Sequence, residues 1–160
     1  MFRLLAGLSL VAGTLAAASS ARTTAPIANA PNAAATVMQV YKSPTCGCCK
    51  AWIDKMKAAG FEVRVTDLGE EALQAEKTKR GVGDNLASCH TAVVNGYVVE
   101  GHVPAADIQR MLREKPAIVG IAAPGMPRGS PGMEMPNGAK DPYDVVAFTK
   151  AGKTTVFARH

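Results

Sequence analysis

SPTCGCCKAW, residues 43–52, sets three cysteines within four positions, directly after an apolar run and directly before a helix-like one. Before it, residues 37–41 carry β-branched and aromatic side chains in weak alternation, the pattern of a short strand. Ser43-Pro44 stops that strand, because proline has no N–H to give to a ladder. After it, Trp52, Met56 and Ala59 share one helical face with Ile53 beside them, while Lys50, Asp54 and Lys57 lie elsewhere. The spacing predicts a helix over 49–59, closed by Gly60. The thiols therefore stand at a helix N-terminus, where the helix dipole and free N–H groups favour a thiolate on Cys46, Cys48 or Cys49.

Outward from the loop the pattern alternates between the two periods. FEVRVT (61–66) alternates apolar and charged residues as a half-buried strand does, and EEALQAEKTKR (70–80) follows as a polar surface helix ending at Gly81. TAVVNGYVVEG (91–101) is two apolar, β-rich runs joined by Asn95-Gly96, a pair suited to a tight hairpin because both turn positions need positive φ. Pro104 then opens AADIQRMLREK, whose Ile108, Met111 and Leu112 form one helical face, and Pro116 ends it. A βαβ unit followed by a hairpin and a helix predicts an α/β chain with a thioredoxin-like fold. Residues 117–142 are dense in Gly and Pro and contain three methionines, which argues for a long loop wrapped over the scaffold. YDVVAFTKAGKTTVFARH (143–160) reads as a C-terminal β-hairpin extension about a turn at 150–152.

At 160 residues and 48% hydrophobic content the chain is long enough for one domain with a real core. A net charge of +5 comes without a basic run or interleaved aromatics, so nucleic acid is not an expected partner. The N-terminus reads as an export signal over 1–21: Arg3 supplies the charge, residues 4–18 the apolar core, and Ser19-Ser20-Ala21 the small residues for cleavage. Ala28 and Ala30 offer a second cleavage point. The apolar core falls short of the about 20 residues that span a bilayer, so no membrane association is expected once the signal is removed. Residues 22–35, rich in Ala, Pro and Asn, read as a flexible lead-in to a domain expected over 36–160. The expected location is the periplasm.

In an oxidising compartment, four cysteines (Cys46, Cys48, Cys49, Cys89) would ordinarily form two disulfides. Adjacent Cys48 and Cys49 resist mutual bridging, so Cys46 would pair with Cys49 or Cys48 and leave the other thiol for Cys89. Cys46 and Cys49 also have the C-x-x-C spacing of a redox couple. Cys48 separates the readings: beside a redox pair it invites misbridging, whereas in a metal site it adds a soft donor. Cys89-His90 lies where the expected fold returns the chain towards the first helix, adding a fourth sulfur and an imidazole. His102, at the end of the hairpin, is a further candidate ligand; His160 is expected to be solvated. Met126, Met133 and Met135 occupy the Gly/Pro-rich loop without core periodicity, and their thioethers favour Cu(I) over zinc. Met38, Met56 and Met111 sit in strand or helix patterns and are expected in the core, as is Trp52. Glu70-Glu71, Asp84, Asp141 and Asp144 show no spacing for paired carboxylate catalysis.

SPTCGCCKAW, SCHTAVVNGYVVEGHVP and GMPRGSPGMEMP together closely resemble the CopG-type periplasmic copper-resistance proteins, formerly a family of unknown function and unrelated to the ribbon-helix-helix repressors of the same name. The resemblance runs from about residue 37 to the C-terminus. It implies a thioredoxin-like fold, a multinuclear Cu(I) cluster bridged by Cys46, Cys48, Cys49 and Cys89, and Cu(I)/Cu(II) redox handling, an oxidoreductase activity on copper itself. His90, His102, Met126, Met133 and Met135 are the additional candidate copper ligands, and other periplasmic copper-handling proteins the expected exchange partners. Ordinary thioredoxins, which resemble this order of elements, carry a cis-proline before the third strand; here that stretch reads Ser88-Cys89-His90-Thr91. Two other functions fit the thiols. One is a periplasmic thiol-disulfide oxidoreductase using Cys46 and Cys49, and the other a zinc-stapled interaction domain.

Overall fold

The computed structural model describes residues 35–160; the export signal assigned to 1–21 and the lead-in as far as residue 34 lie outside the described residues. Among the described residues, seven strands form one sheet in the order β2-β1-β3-β4-β5-β6-β7, with three helices in the connections. β1 (Val37–Lys42) and β2 (Glu62–Asp67) run parallel, joined through α1 (Gly47–Ala58). α2 (Glu70–Lys79) leads to β3 (His90–Val94), which pairs antiparallel with β1, and β4 (Tyr97–Gly101) returns alongside it. Asn95 and Gly96 carry φ of 47° and 83°, the positive pair required by a two-residue hairpin turn. α3 (Ala105–Glu114) crosses to β5 (Gly120–Ala123), parallel to β4. β6 (Asp144–Phe148) and β7 (Thr154–Arg159) extend the sheet as an antiparallel hairpin. This is the thioredoxin-like α/β fold with its C-terminal hairpin extension.

The alternation of each central strand divides the core. Met38, Val40, Ala92, Val94 and Val99 meet Trp52, Ile53 and Met56 of α1 and Ile108 and Met111 of α3 on one face. Val98, Ala122 and Phe148 meet Val82 and Leu86 on the other. Met38, Met56, Met111 and Trp52 are wholly buried, as their periodicity predicts.

Three local readings are corrected. α1 begins at Gly47, not at residue 49, because the Cys46 sulfur caps it by accepting the Cys49 N–H at 3.2 Å. The Gly/Pro-rich segment contains β5, four residues buried on both faces and therefore too short and too uniformly apolar to show a period. A Cβ on Gly120 would lie 2.0 Å from the Val98 carbonyl oxygen, so this β4–β5 contact requires glycine. His160 is not simply solvated: it stacks on Tyr143 with ring centroids 5.0 Å apart and its Nε2 lies 2.7 Å from Asp107 Oδ2 on α3. No helix among the described residues is long and apolar enough to cross a membrane.

Candidate metal centre

β1 ends at Lys42, and a tight turn, closed by the Cys46 N–H donating to the Ser43 carbonyl at 3.1 Å, delivers the cysteines to the start of α1. Cys46 and Cys49 are joined as a disulfide, one of the two pairings open to Cys46. They have no thiolate to ionise in this state. Cys48 and Cys89 are free thiols. Cys48 Sγ lies 3.4 Å from Cys46 Sγ and 3.7 Å from Cys89 Sγ, and all four sulfurs lie within 4.8 Å of one another. Cys49 is fully buried; the other three are half-buried at the helix start.

Cys89 also belongs to a second cluster, with His90 and His102, whose ligand atoms again lie within 4.8 Å of one another. His102 Nδ1 sits 2.8 Å from the Pro131 carbonyl oxygen. A carbonyl can only accept, so Nδ1 carries the proton and Nε2, 3.0 Å from Cys89 Sγ, presents a lone pair. His90 Nδ1 lies 3.6 Å from the same sulfur. The His90 ring packs on Trp52 at 4.4 Å and edge-on to His102 at 5.1 Å, and its Nε2 is buried without a protein partner.

Burial, then the neighbouring Cys48 thiol, push the Cys89 thiol up to about 12. Burial holds the His90 pKa well below its ordinary value, with His102 and Lys77 adding to the effect, and burial also lowers that of His102. Two neutral imidazoles thus face a protonated thiol, and a metal ion that takes Cys89 as thiolate must release its proton.

The strand ends that carry these groups are fixed from the opposite face of the sheet. Glu100 Oε1 accepts the Ser88 N–H at 2.7 Å and pairs with Lys77 of α2, both side chains being buried. α2 is therefore not a wholly polar surface helix, since Lys77 and Leu73 point inward. Gly101, at φ 71°, allows the end of β4 to approach Ser88: a Cβ there would fall 2.6 Å from Ser88 Cβ and 2.7 Å from the Ala123 carbonyl oxygen. Sequence reasoning missed the Glu100–Lys77 pair. Its trace was a glutamate two residues after Val98, on the same buried strand face.

The Gly/Pro-rich segment crosses the start of α1 as a strap. Glu134 accepts the Gly132 N–H at 3.1 Å and bridges to Lys55 of α1 at 2.9 Å, while Arg128 and Asp141 pair at 2.6 Å. A Cβ on Gly132, at φ 86°, would lie 2.8 Å from both the Cys48 carbonyl oxygen and the Trp52 nitrogen. Gly132→Ala should therefore lift the strap, destabilise the protein by about 1–3 kcal/mol and release His102 from Pro131. Thermal unfolding together with the imidazole NMR resonances of His102 checks this. The structure gathers the four cysteines with His90 and His102. It leaves Met126 (55% exposed) and Met135 (37%) on the strap surface, with Met133 half-buried between them.

A family model described as a protein of unknown function, DUF411, matches residues 86–133, the span that carries Cys89, His90, His102 and the first part of the strap. Among curated proteins, none matches significantly. Two solved structures, titled copper resistance protein copG Form 1 and Form 2, match with TM-scores of 0.72 and 0.70 at 45% and 47% identity. Each alignment covers 79% of this chain and 98% of the other. The chain belongs to the CopG copper-resistance family. Within this CopG-family chain, the sulfurs at the start of α1 and the Cys89–His90 and His102 segments make two groups, joined at Cys89, that could hold metal.

Proposed function

We propose that this CopG-family chain is a periplasmic copper-binding protein of copper resistance that holds several Cu(I) ions between the sulfurs of Cys46, Cys48, Cys49 and Cys89 and interconverts Cu(I) and Cu(II). One observation carries the reading: four sulfurs from two distant chain segments lie within 4.8 Å of one another. Cys48 stands within 4 Å of a sulfur from each segment, so its thiolate can bridge ions. Soft thiolates select Cu(I), and sharing each sulfur between ions spreads its charge. His90 and His102 complete the donors, and the thioethers of Met126, Met133 and Met135 supply soft ligands on the approach. The export signal read at residues 1–21 supports the periplasmic location.

The redox step balances on the Cys46–Cys49 pair. Each of the two thiolates gives one electron to a Cu(II) ion, an S–S bond forms between them, and two Cu(I) ions result. Copper is the substrate in this step. The reduced, full-length protein should bind more than one Cu(I) per chain, and Cys48→Ser should lose most of that copper by elemental analysis and X-ray absorption. Full stoichiometry in Cys48→Ser would reject the cluster.

The Cys46–Cys49 disulfide at a helix start also favours a second reading, a thiol-disulfide oxidoreductase of exported proteins. Insulin reduction that is abolished by Cys49→Ala and indifferent to both copper and Cys48 would establish it.

A further inference from the structure

We propose that Cys48 and Cys89 form an internal disulfide relay, which moves the Cys46–Cys49 bridge at the start of α1 to a Cys48–Cys89 bridge between α1 and the entry to β3. The relay rests on the thiol-disulfide reading above for its chemistry, and needs neither a metal ion nor an external protein substrate.

The four sulfurs stand in a chain of contacts but in different states. Cys46 and Cys49 are bonded to each other, and Cys48 and Cys89 are free. Cys48 Sγ lies 3.4 Å from Cys46 Sγ, inside the about 3–3.5 Å separation of a near-attack arrangement. The same sulfur lies 3.7 Å from Cys89 Sγ. A free thiol against a disulfide sulfur is the reactant pair of thiol-disulfide exchange. Gly47, between Cys46 and Cys48, has nothing within 4 Å of the place a Cβ would take, so the backbone joining the two sulfurs has room to adjust as they bond.

Two exchanges complete the transfer. In the first, a Cys48–Cys46 bond forms, the Cys46–Cys49 bond breaks, and the Cys48 proton ends on the departing Cys49 sulfur. Cys49 is fully buried, a setting that suits a neutral thiol. In the second, a Cys89–Cys48 bond forms and the Cys46–Cys48 bond breaks, while the Cys89 proton passes to His102 Nε2 and from there to the Cys46 sulfur. His102 is placed for that task. Its Nε2 lies 3.0 Å from Cys89 Sγ and its Nδ1–H is held by the Pro131 carbonyl at 2.8 Å, so a nucleophile, a base and a group that orients the base follow one another. One disulfide and two thiols are present before and after, so no electrons enter or leave.

The product differs from the start. The Cys46–Cys49 bridge joins residues 3 apart, whereas Cys48 and Cys89 are 41 apart, so the new bridge ties the CGCC loop to the central sheet. The relay returns Cys46 and Cys49 to thiols while the chain keeps its oxidised pair, which leaves the C-x-x-C motif ready for a second oxidation.

The test uses the full-length chain, reduced and freed of metal with a chelator, then given one equivalent of diamide without air. Samples are acid-quenched over time, alkylated, cut with trypsin and read by mass spectrometry. Cys46, Cys48 and Cys49 fall in one tryptic peptide (43–50) and Cys89 in another (81–110), so relocation appears as a cross-link between the two. A disulfide within 43–50 should form first, and the cross-link should then grow at a rate independent of protein concentration. Cys48→Ser, which keeps the Cys46–Cys49 pair and so guards against loss of the fold, should lower the cross-link by at least about tenfold. His102→Ala should slow its growth by about tenfold or more without abolishing the first disulfide. A bridge that never leaves 43–50, a cross-link complete before any loop disulfide forms, or equal cross-linking in Cys48→Ser overturns the relay. If the cross-link forms as expected but the chain reduces no insulin, the oxidoreductase reading falls and the relay stands. If insulin is reduced while the bridge stays within 43–50, the relay falls and that reading stands.

Discussion

Cys89→Ser should lower copper affinity more than any other single substitution, by on the order of 100-fold or more, because its sulfur is the only atom common to both donor groups. Cys48 belongs to the all-sulfur group alone, and His90 and His102 to the mixed one. Serine nearly preserves the volume of cysteine, and Cys89 is only half-buried at the mouth of β3, so the fold should tolerate the change. Cu(I) competition titration and native mass spectrometry of the reduced protein supply the readout. Retention of wild-type affinity within a few-fold would mean that the two groups do not share a ligand, and the arrangement derived above would have to be abandoned.

The second large effect is on stability. Lys77→Met leaves the Glu100 carboxylate buried without its cation and should destabilise the protein by about 3–5 kcal/mol. Burial raises the Glu100 pKa above the ordinary carboxylate value, and Lys77 and the Ser88 N–H pull it only partly back. A folded-state pKa above the unfolded one confers stability that is present at low pH and lost as pH rises through the folded value. Removing Lys77 lifts that pKa further. The variant should accordingly be closest to wild type at about pH 5 and most impaired at about pH 8. Urea unfolding of the copper-free protein across this range checks the sign. Lys77→Met/Glu100→Leu, which replaces the whole pair by apolar side chains, should recover most of the loss. An equal loss at both pH values would show that packing, not the carboxylate charge, dominates.

Much of the scaffold was legible because its signals are local. The three-residue and four-residue spacing of Trp52, Ile53 and Met56 sets the buried face of α1. Asn95-Gly96 sets the β3–β4 turn through its positive φ angles. Pro104 and Pro116 flank α3. β5 escaped because Gly120 to Ala123 is buried on both faces and shows no alternation, and because its strand partners are supplied by chain more than twenty residues away. His160 escaped for a related reason: a terminal residue gives no local sign that Tyr143 and Asp107 receive its ring.

The same division holds at the candidate metal centre. The amino-acid order alone determined the donor chemistry, namely three thiols crowded at a helix start, a Cys-His pair before a strand, and thioethers in a Gly/Pro-rich segment. Only the folded chain decided which donors meet: Cys48 and Cys89 are 41 residues apart, His102 takes its orientation from a carbonyl 29 residues away, and Glu100 is neutralised by a lysine 23 residues before it. Periodicity and turn chemistry act over a few residues, so they are written in the sequence. Distances between donors depend on sheet register and on a strap packed over α1, which exist only once the whole core has formed.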